Sequence, residues 1–335
     1  MKRRSNQALN SAVVVDVSIK KIDLGDRRYA VSFDPDSLDQ MPALVDSIAA
    51  FGIVSPARLI KEEDGRCVPV SGWRRLFAAE RLGLETVPAL VYDRGLSDAD
   101  AMILALMDNF PAREYTAAEA STIVSRLIND FGLGEEEVLE EFFDLIHLPK
   151  SRNVLRDLLA INDLSREIKG LCHARRYPLK PIVSWCGFDE GDRGALLTLV
   201  SAAPFGSGVV TELLGSVTDI VKRDRITVDE ILEDTAIKKV IADEGVPSGM
   251  RGERIRERIR EIRYPIHSGL NRRFDDAVTR LGLPCGAGIS HPPHFEADYL
   301  ELKFRFKDSR DIKRLGEFLT SESESEEIKD LLEMV

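Results

Sequence analysis

Leu38, Met41, Leu44, Val45 and Ile48 fall three and four residues apart. That spacing predicts a helix over residues 36–51, which Gly52 ends. Ahead of it, VVVDVSIKKID (13–23) is apolar and β-branched and predicts an opening strand and its exit. IVSPARLIKEEDGRCVPVSG (53–72) predicts two strands around a turn at Asp64-Gly65. The stretch VSGWRRLFAAERLG (70–83) then leaves a strand at Ser71-Gly72. It predicts a helix from Arg74 that Gly83 stops. ETVPALVYD (85–93) predicts a further strand. Strand, helix, hairpin, helix and strand make a compact α/β domain over 13–95, preceded by a flexible polar arm over 1–12.

From Ser97 onward the spacing is helical almost throughout. Ser97 caps a helix over 98–109, and Pro111 breaks it. Thr116 and Glu119 make a capping box for the next helix. Glu135–His147 predicts an acidic helix, Ser151–Ile161 another, and residues 96–200 an all-helical domain. SAAPFGSG (201–208) marks a boundary, beyond which 208–335 reads as a mixed α/β region. There YLELKFRF (299–306) alternates, predicting a strand with one buried face. Ile255, Ile259 and Ile262 share one face of an arginine-rich helix, and SESESEE (321–327) reads as a mobile acidic stretch. The expected fold class is α+β.

Composition narrows the functions. The chain has 335 residues, 44% of them hydrophobic, and a net charge of −11. Contact with nucleic acid therefore requires a local basic patch. No apolar run reaches the ~20 residues needed to span a bilayer, and the N-terminus lacks the apolar core of a signal peptide. Membrane contact is not expected. Four scattered cysteines without a CxxC predict reduced thiols, a cytoplasmic protein and no zinc site. The arginines from Arg251 to Arg263 interleave with Glu253, Glu257 and Glu261. They read as a solvated face, with non-specific DNA contact as the sharper alternative. His291-Pro-Pro-His294 reads as a loop, its prolines arguing against a preformed metal site.

The candidate chemistry sits at Gly72. A glycine turn before a helix N-terminus is an anion site, because free N–H groups and the helix dipole point there. Arg74 and Arg75 would strengthen it. They fit equally a first-turn pair, one solvated and one bound to a carboxylate.

Asp46-Ser47-Ile48, Gly52, Pro56, Ser71-Gly72-Trp73-Arg74-Arg75-Leu76-Phe77-Ala78 and Asp108-Asn109 occur in an order that resembles the ParB family of partition proteins. The resemblance is carried mostly by residues 13–115. It implies an N-terminal ParB/sulfiredoxin-like α/β domain, a central helix-turn-helix-like domain and a C-terminal region for self-association. It also implies that the loop corresponding to the family's GERRxRA cradles the phosphates of CTP, a nucleotide switch. Carried over, the nucleotide-binding residues are Ser71, Gly72, Arg74, Arg75, Asn109 and Arg113. Asp108 and Asn109 would sit by Mg²⁺, for which a carboxylate and an amide oxygen are suitable hard ligands. Two positions depart from the motif: its glutamate is Trp73 and its later arginine is Phe77. Trp73 can pack, stack or donate one N–H, so CTP hydrolysis is not expected to follow from binding. The sulfiredoxin activity of this fold is rejected, since no cysteine lies between Gly72 and Arg75.

The resemblance places the recognition helix of the helix-turn-helix at Lys150, Ser151, Arg152 and Asn153, with Arg156 one turn on. The preceding acidic helix opposes a phosphate backbone unless it faces away. The implied partners are DNA, a second copy of the chain and a partition ATPase. The implied function is DNA partitioning or regulation. The alternative is a nucleotide-free scaffold of the same fold that binds a protein partner.

Overall fold

The computed structural model describes residues 12–34, 41–93, 95–110, 113–243 and 245–335. The arm expected over 1–12 lies outside them except for Ala12, as does the start of the helix expected from residue 36. The chain divides into two compact units, Met1–Leu214 and Gly215–Val335.

The first unit is built on a mixed four-stranded sheet. Its strands are Val13–Ser18 (β1), Ala57–Lys61 (β2), Cys67–Ser71 (β3) and Thr86–Tyr92 (β4), in the order β1-β4-β2-β3. β1 and β4 pair antiparallel, β4 and β2 parallel, and β2 and β3 antiparallel. The β2–β3 hairpin turns at Asp64-Gly65, with Gly65 at φ +81°. Strand side chains alternate between faces. One face carries Val17, Leu59, Val87 and Ala89 against Leu76 and Ala79 of the helix Trp73–Arg81 (α2). The other carries Ile60, Val68, Val70 and Tyr92. The helix Pro42–Phe51 (α1) packs Ile48 on Ala78 and ends at Gly52.

On that second face the helices Asp98–Met107 (α3), Ala117–Ser125 (α4), Glu135–Glu141 (α5) and Arg152–Asn162 (α6) continue the same core. Met102, Leu106, Ile123, Leu127, Phe142, Phe143 and Leu158 are fully buried in it. Each contributes roughly 1.5–3 kcal/mol by leaving water. Both predicted caps form: Ser97 Oγ accepts from Asp100 N, and Thr116 and Glu119 make the reciprocal capping box. α4 runs into a turn of π-helix, Arg126–Asp130.

The helix expected over Glu135–His147 is shorter. It stops at Glu141, a 3₁₀ turn follows at Asp144–Ile146, and His147 is left-handed at φ +57°. Adjacent Phe142 and Phe143 are both fully buried. A continuing helix would send neighbours about 100° apart, so core packing overrides the local pattern. After α6 come Arg166–Ala174 (α7), Leu179–Val183 (α8), Glu190–Ser201 (α9) and Ser207–Asp224 (α10), within which the division between units falls. Among the described residues no helix is long and apolar enough to cross a membrane.

The second unit holds Val228–Leu232 (α11), Thr235–Ala242 (α12), Ser248–Arg263 (α13), Pro265–Leu281 (α14), Ser309–Glu322 (α15) and Glu326–Leu332 (α16). Ala287–Ser290 (β5) and Glu301–Phe304 (β6) pair antiparallel. Phe274, Ala277 and Leu281 pack on Leu331 and Met334. β6 departs from expectation: Glu301, Leu302 and Lys303 are exposed, because a two-stranded ribbon leaves this strand without a covering layer. The stretch 321–327, expected to be mobile, forms the end of α15, a turn and the capped start of α16. In α13, Ile255 and Ile259 are buried. Arg258 pairs there with Glu261, and across to Asp234, the N-cap of α12.

Candidate functional site

β3 is buried along its whole length and delivers the chain to Gly72 at the start of α2. Gly72 sits at φ +86°, a conformation that L-residues avoid. A Cβ there would lie 3.1 Å from Ala57 Cα and 3.1 Å from its Cβ. The position is therefore closed to side chains on two counts. No side chain caps α2; Arg75 N and Leu76 N donate to Gly72 O, so the N–H groups of Trp73 and Arg74 are the ones left for water or a ligand.

These groups face a cavity of about 260 Å³. Its walls include Ser71, Gly72, Trp73, Arg74 and Arg75 from the β3–α2 turn, and Asp108, Asn109 and Arg113 from beyond α3. All the residues carried over for nucleotide and metal thus line one space, although Arg75 and Asp108, the nearest members of the two groups, are 33 positions apart in sequence. Val31, Ser32, Leu44 and Val70 complete the lining, and the motif order did not point to them.

The two arginines differ. Arg75 Nη1 donates to the carbonyls of Ser55 and Pro56, and Nη2 lies 3.5 Å from Asp108 Oδ2. Burial lowers its pKa, Asp108 opposes that shift and Arg58 adds to it. Arg74 is exposed and, among the described residues, has no hydrogen-bond or ion-pair partner. Its pKa is lowered first by desolvation and then by the charge of Arg113. The pair is thus one solvated and one bound arginine, both facing the cavity. Arg113 donates to Glu119 Oε1 at 2.6 Å and lies over the Tyr115 ring. Glu119 is itself buried, and also accepts from Phe33 N and Thr116 N.

Asp108 is the centre of a charge cluster. Its Oδ2 accepts from Ser71 Oγ at 2.8 Å, and its Oδ1 from Arg58 Nε at 3.0 Å. Arg58 also donates to Tyr92 OH at 2.7 Å. Burial is the largest influence on Arg58 and works against its charge, but Asp108 and Tyr92 together outweigh it, and the net shift is upward. Arg58 was not singled out in the sequence. β2 carries a second cation, Lys61, and no local feature of the sequence set Arg58 apart from it. Asn109 Nδ2 donates to Ala105 O, which leaves its amide oxygen as an acceptor. Among the described residues no three His, Cys, Asp or Glu side chains gather into a metal site. A magnesium ion at Asp108 and Asn109 would need phosphate oxygens and water to complete its shell, the usual manner for that ion.

Trp73 is 6% exposed, stacks on Phe77, and its indole Nε1 has no hydrogen-bond partner. An indole occupies the position where the motif has a carboxylate.

Residues 3–110 match the family model of the ParB N-terminal domain. That match covers about a third of the chain, the part that holds the four-stranded sheet and α1 to α3. The probable chromosome-partitioning protein ParB of Vibrio cholerae is 29% identical over 163 residues, 49% of this chain and 52% of that one. The nucleoid occlusion protein of Bacillus cereus is 28% identical over 137 residues, 41% of this chain and 43% of that one. The chain spans about half the length of the curated relatives it matches. Among solved structures, C-terminally truncated ParB from Caulobacter crescentus complexed with CTP-gamma-S covers 55% of this chain and 97% of its own. Its identity is 20% and its TM-score 0.26.

The residues carried over for DNA stand apart from the cavity's lining, at the start of α6. Arg152, Asn153 and Arg156 are exposed, as is Lys150 just before the helix, while Ser151 is half-buried at the N-cap. Lys150 Nζ lies 3.1 Å from Asp144 and 3.3 Å from Glu140, and Arg152 pairs with Glu136. The acidic α5 thus turns Glu136 and Glu140, and the 3₁₀ turn after it Asp144, toward the basic end of α6. Asp144 first, with Glu140, raises the pKa of the Lys150 ammonium.

Proposed function

We propose that this chain is a ParB-type DNA-partitioning protein that binds a nucleoside triphosphate, CTP with Mg²⁺, in the cavity at Gly72. Bound nucleotide would then switch its hold on DNA and its self-association. The observation that carries the reading is a set of three guanidiniums, Arg74, Arg75 and Arg113, around one cavity at an uncapped helix N-terminus. Arg74 and Arg113 repel one another there. A triphosphate would relieve that repulsion and accept from the first N–H groups of α2. The reading is one of binding: Trp73 supplies no carboxylate to position water. Magnesium, when bound, would neutralise phosphate charge beside Asp108 and Asn109.

Isothermal titration of the full chain with CTP, ATP and GTP tests this. Saturable heat with CTP at sub-millimolar nucleotide is expected, and no heat with any of the three overturns it. For DNA, exposed Arg156 and Asn153 with Lys150 and Arg152 are the contact residues we infer. A random duplex should then bind with an affinity that falls steeply with salt. Absence of binding at low salt would favour instead a nucleotide-free scaffold for a protein partner.

A further inference from the structure

A second cavity, also of about 260 Å³, borders the Val31-Ser32 segment but is otherwise lined by different residues from the Gly72 cavity. Phe33, Thr122, Arg126, Arg166 and Lys169 contribute, together with Glu119. Its charges do not balance. Glu119 is already held by Arg113, and Arg166 by Asp34 at 2.8 Å. Arg126 donates to the carbonyl of Ala30, and Lys169 Nζ to that of Asn162 at 2.8 Å. Among the described residues neither makes an ion pair within 4.0 Å. Burial lowers the pKa of both, and only the more distant Asp130 and Asp163 oppose it. Two partly buried cations, bonded only to backbone carbonyls and facing one polar space, are a costly arrangement without an anion.

We propose that this cavity is a second anion site, taking one phosphate-class oxyanion with Arg126 and Lys169 as its charge partners. The oxyanion is either free phosphate or the phosphate of a nucleoside monophosphate. Arg166, stacked over Phe33, closes the cationic side, and the Ser32 hydroxyl is a further donor. The site stands whether or not the Gly72 cavity takes a triphosphate, because Arg74 and Arg75 line only the latter.

The test is calorimetric titration of the full chain with inorganic phosphate, in the wild type and in Lys169→Gln, Arg166→Gln and Arg74→Ala. Removing one charged partner should weaken phosphate binding roughly tenfold in Lys169→Gln. The exposed Arg166→Gln, which leaves the buried groups in place, should weaken it severalfold and guards against a folding defect in the first variant. Arg74→Ala should remove only phosphate held at the Gly72 cavity and leave the Lys169-dependent component in place. Competition by CMP that shares the Lys169→Gln loss assigns the site to a nucleotide phosphate; phosphate binding that CMP does not displace assigns it to the free ion. No wild-type binding at millimolar phosphate, or a Lys169-dependent component that disappears in Arg74→Ala, overturns the proposal.

Discussion

Replacing Gly72 by alanine should be one of the most damaging small changes in the first unit, and Gly65 supplies its control. Both glycines have positive φ, +86° and +81°. At Gly65 a new Cβ would meet nothing within 4 Å, whereas at Gly72 it would lie 3.1 Å from the backbone of Ala57 in β2. Gly65→Ala therefore measures the backbone term alone, about 1–2 kcal/mol. Gly72→Ala carries the same term plus an overpacked contact that β2 must yield to, about 1–3 kcal/mol more. The third close atom, Arg75 Nη2 at 3.0 Å, is a side-chain tip and can move at lower cost. Urea unfolding followed by tryptophan fluorescence reads this unit selectively, because the chain's two tryptophans, Trp73 and Trp185, both lie in it. Equal losses in the two variants would refute the claim that β2 closes on the turn.

Asp108→Asn removes the carboxylate that balances Arg58 and Arg75, and should cost about 1–3 kcal/mol by the same urea measurement; an unchanged midpoint would show that the cluster contributes nothing to the fold. The cysteines should react in order of access: Cys285 is exposed, while Cys67 and Cys172 are buried and burial pushes the Cys172 thiol up to about 12. A thiol reagent at pH 8 should label Cys285 first and Cys172 only on unfolding, and rapid native labelling of Cys172 would contradict the packing. Asp234 is held below its ordinary 3.8, chiefly by the hydrogen bond from Arg258. Its contribution to the second unit is full above the unfolded value and is lost as pH falls through the lowered one. Asp234→Ala should cost about 1 kcal/mol at pH 7 as a lost N-cap and flatten the acid limb of a circular-dichroism pH titration; an acid limb as steep as wild type would count against the pair.

What could be read from the sequence was local chemistry. The Gly72 turn, the Ser97 cap and the Thr116–Glu119 box are each specified by residues within a few positions of one another, and each is present. The lining of the cavity by Arg74, Asp108 and Arg113 came from motif order, which carries long-range information that spacing alone does not. Arg58 stayed hidden because its partner is 50 residues away and nothing local marks the pair. The break after Glu141 was equally illegible, since it follows from burying Phe142 and Phe143 together in a core that helices and sheet share. In β6 the alternation was read correctly as a strand, but alternation cannot tell whether a second layer exists to cover it.

The central claim is that Arg74 meets the outer phosphates of a bound nucleotide. The direct measurement is the affinity of the wild type and of Arg74→Ala for CTP and for CMP under one magnesium concentration. The account predicts that the substitution weakens CTP binding roughly tenfold or more and CMP binding far less. Equal weakening of both nucleotides would contradict it.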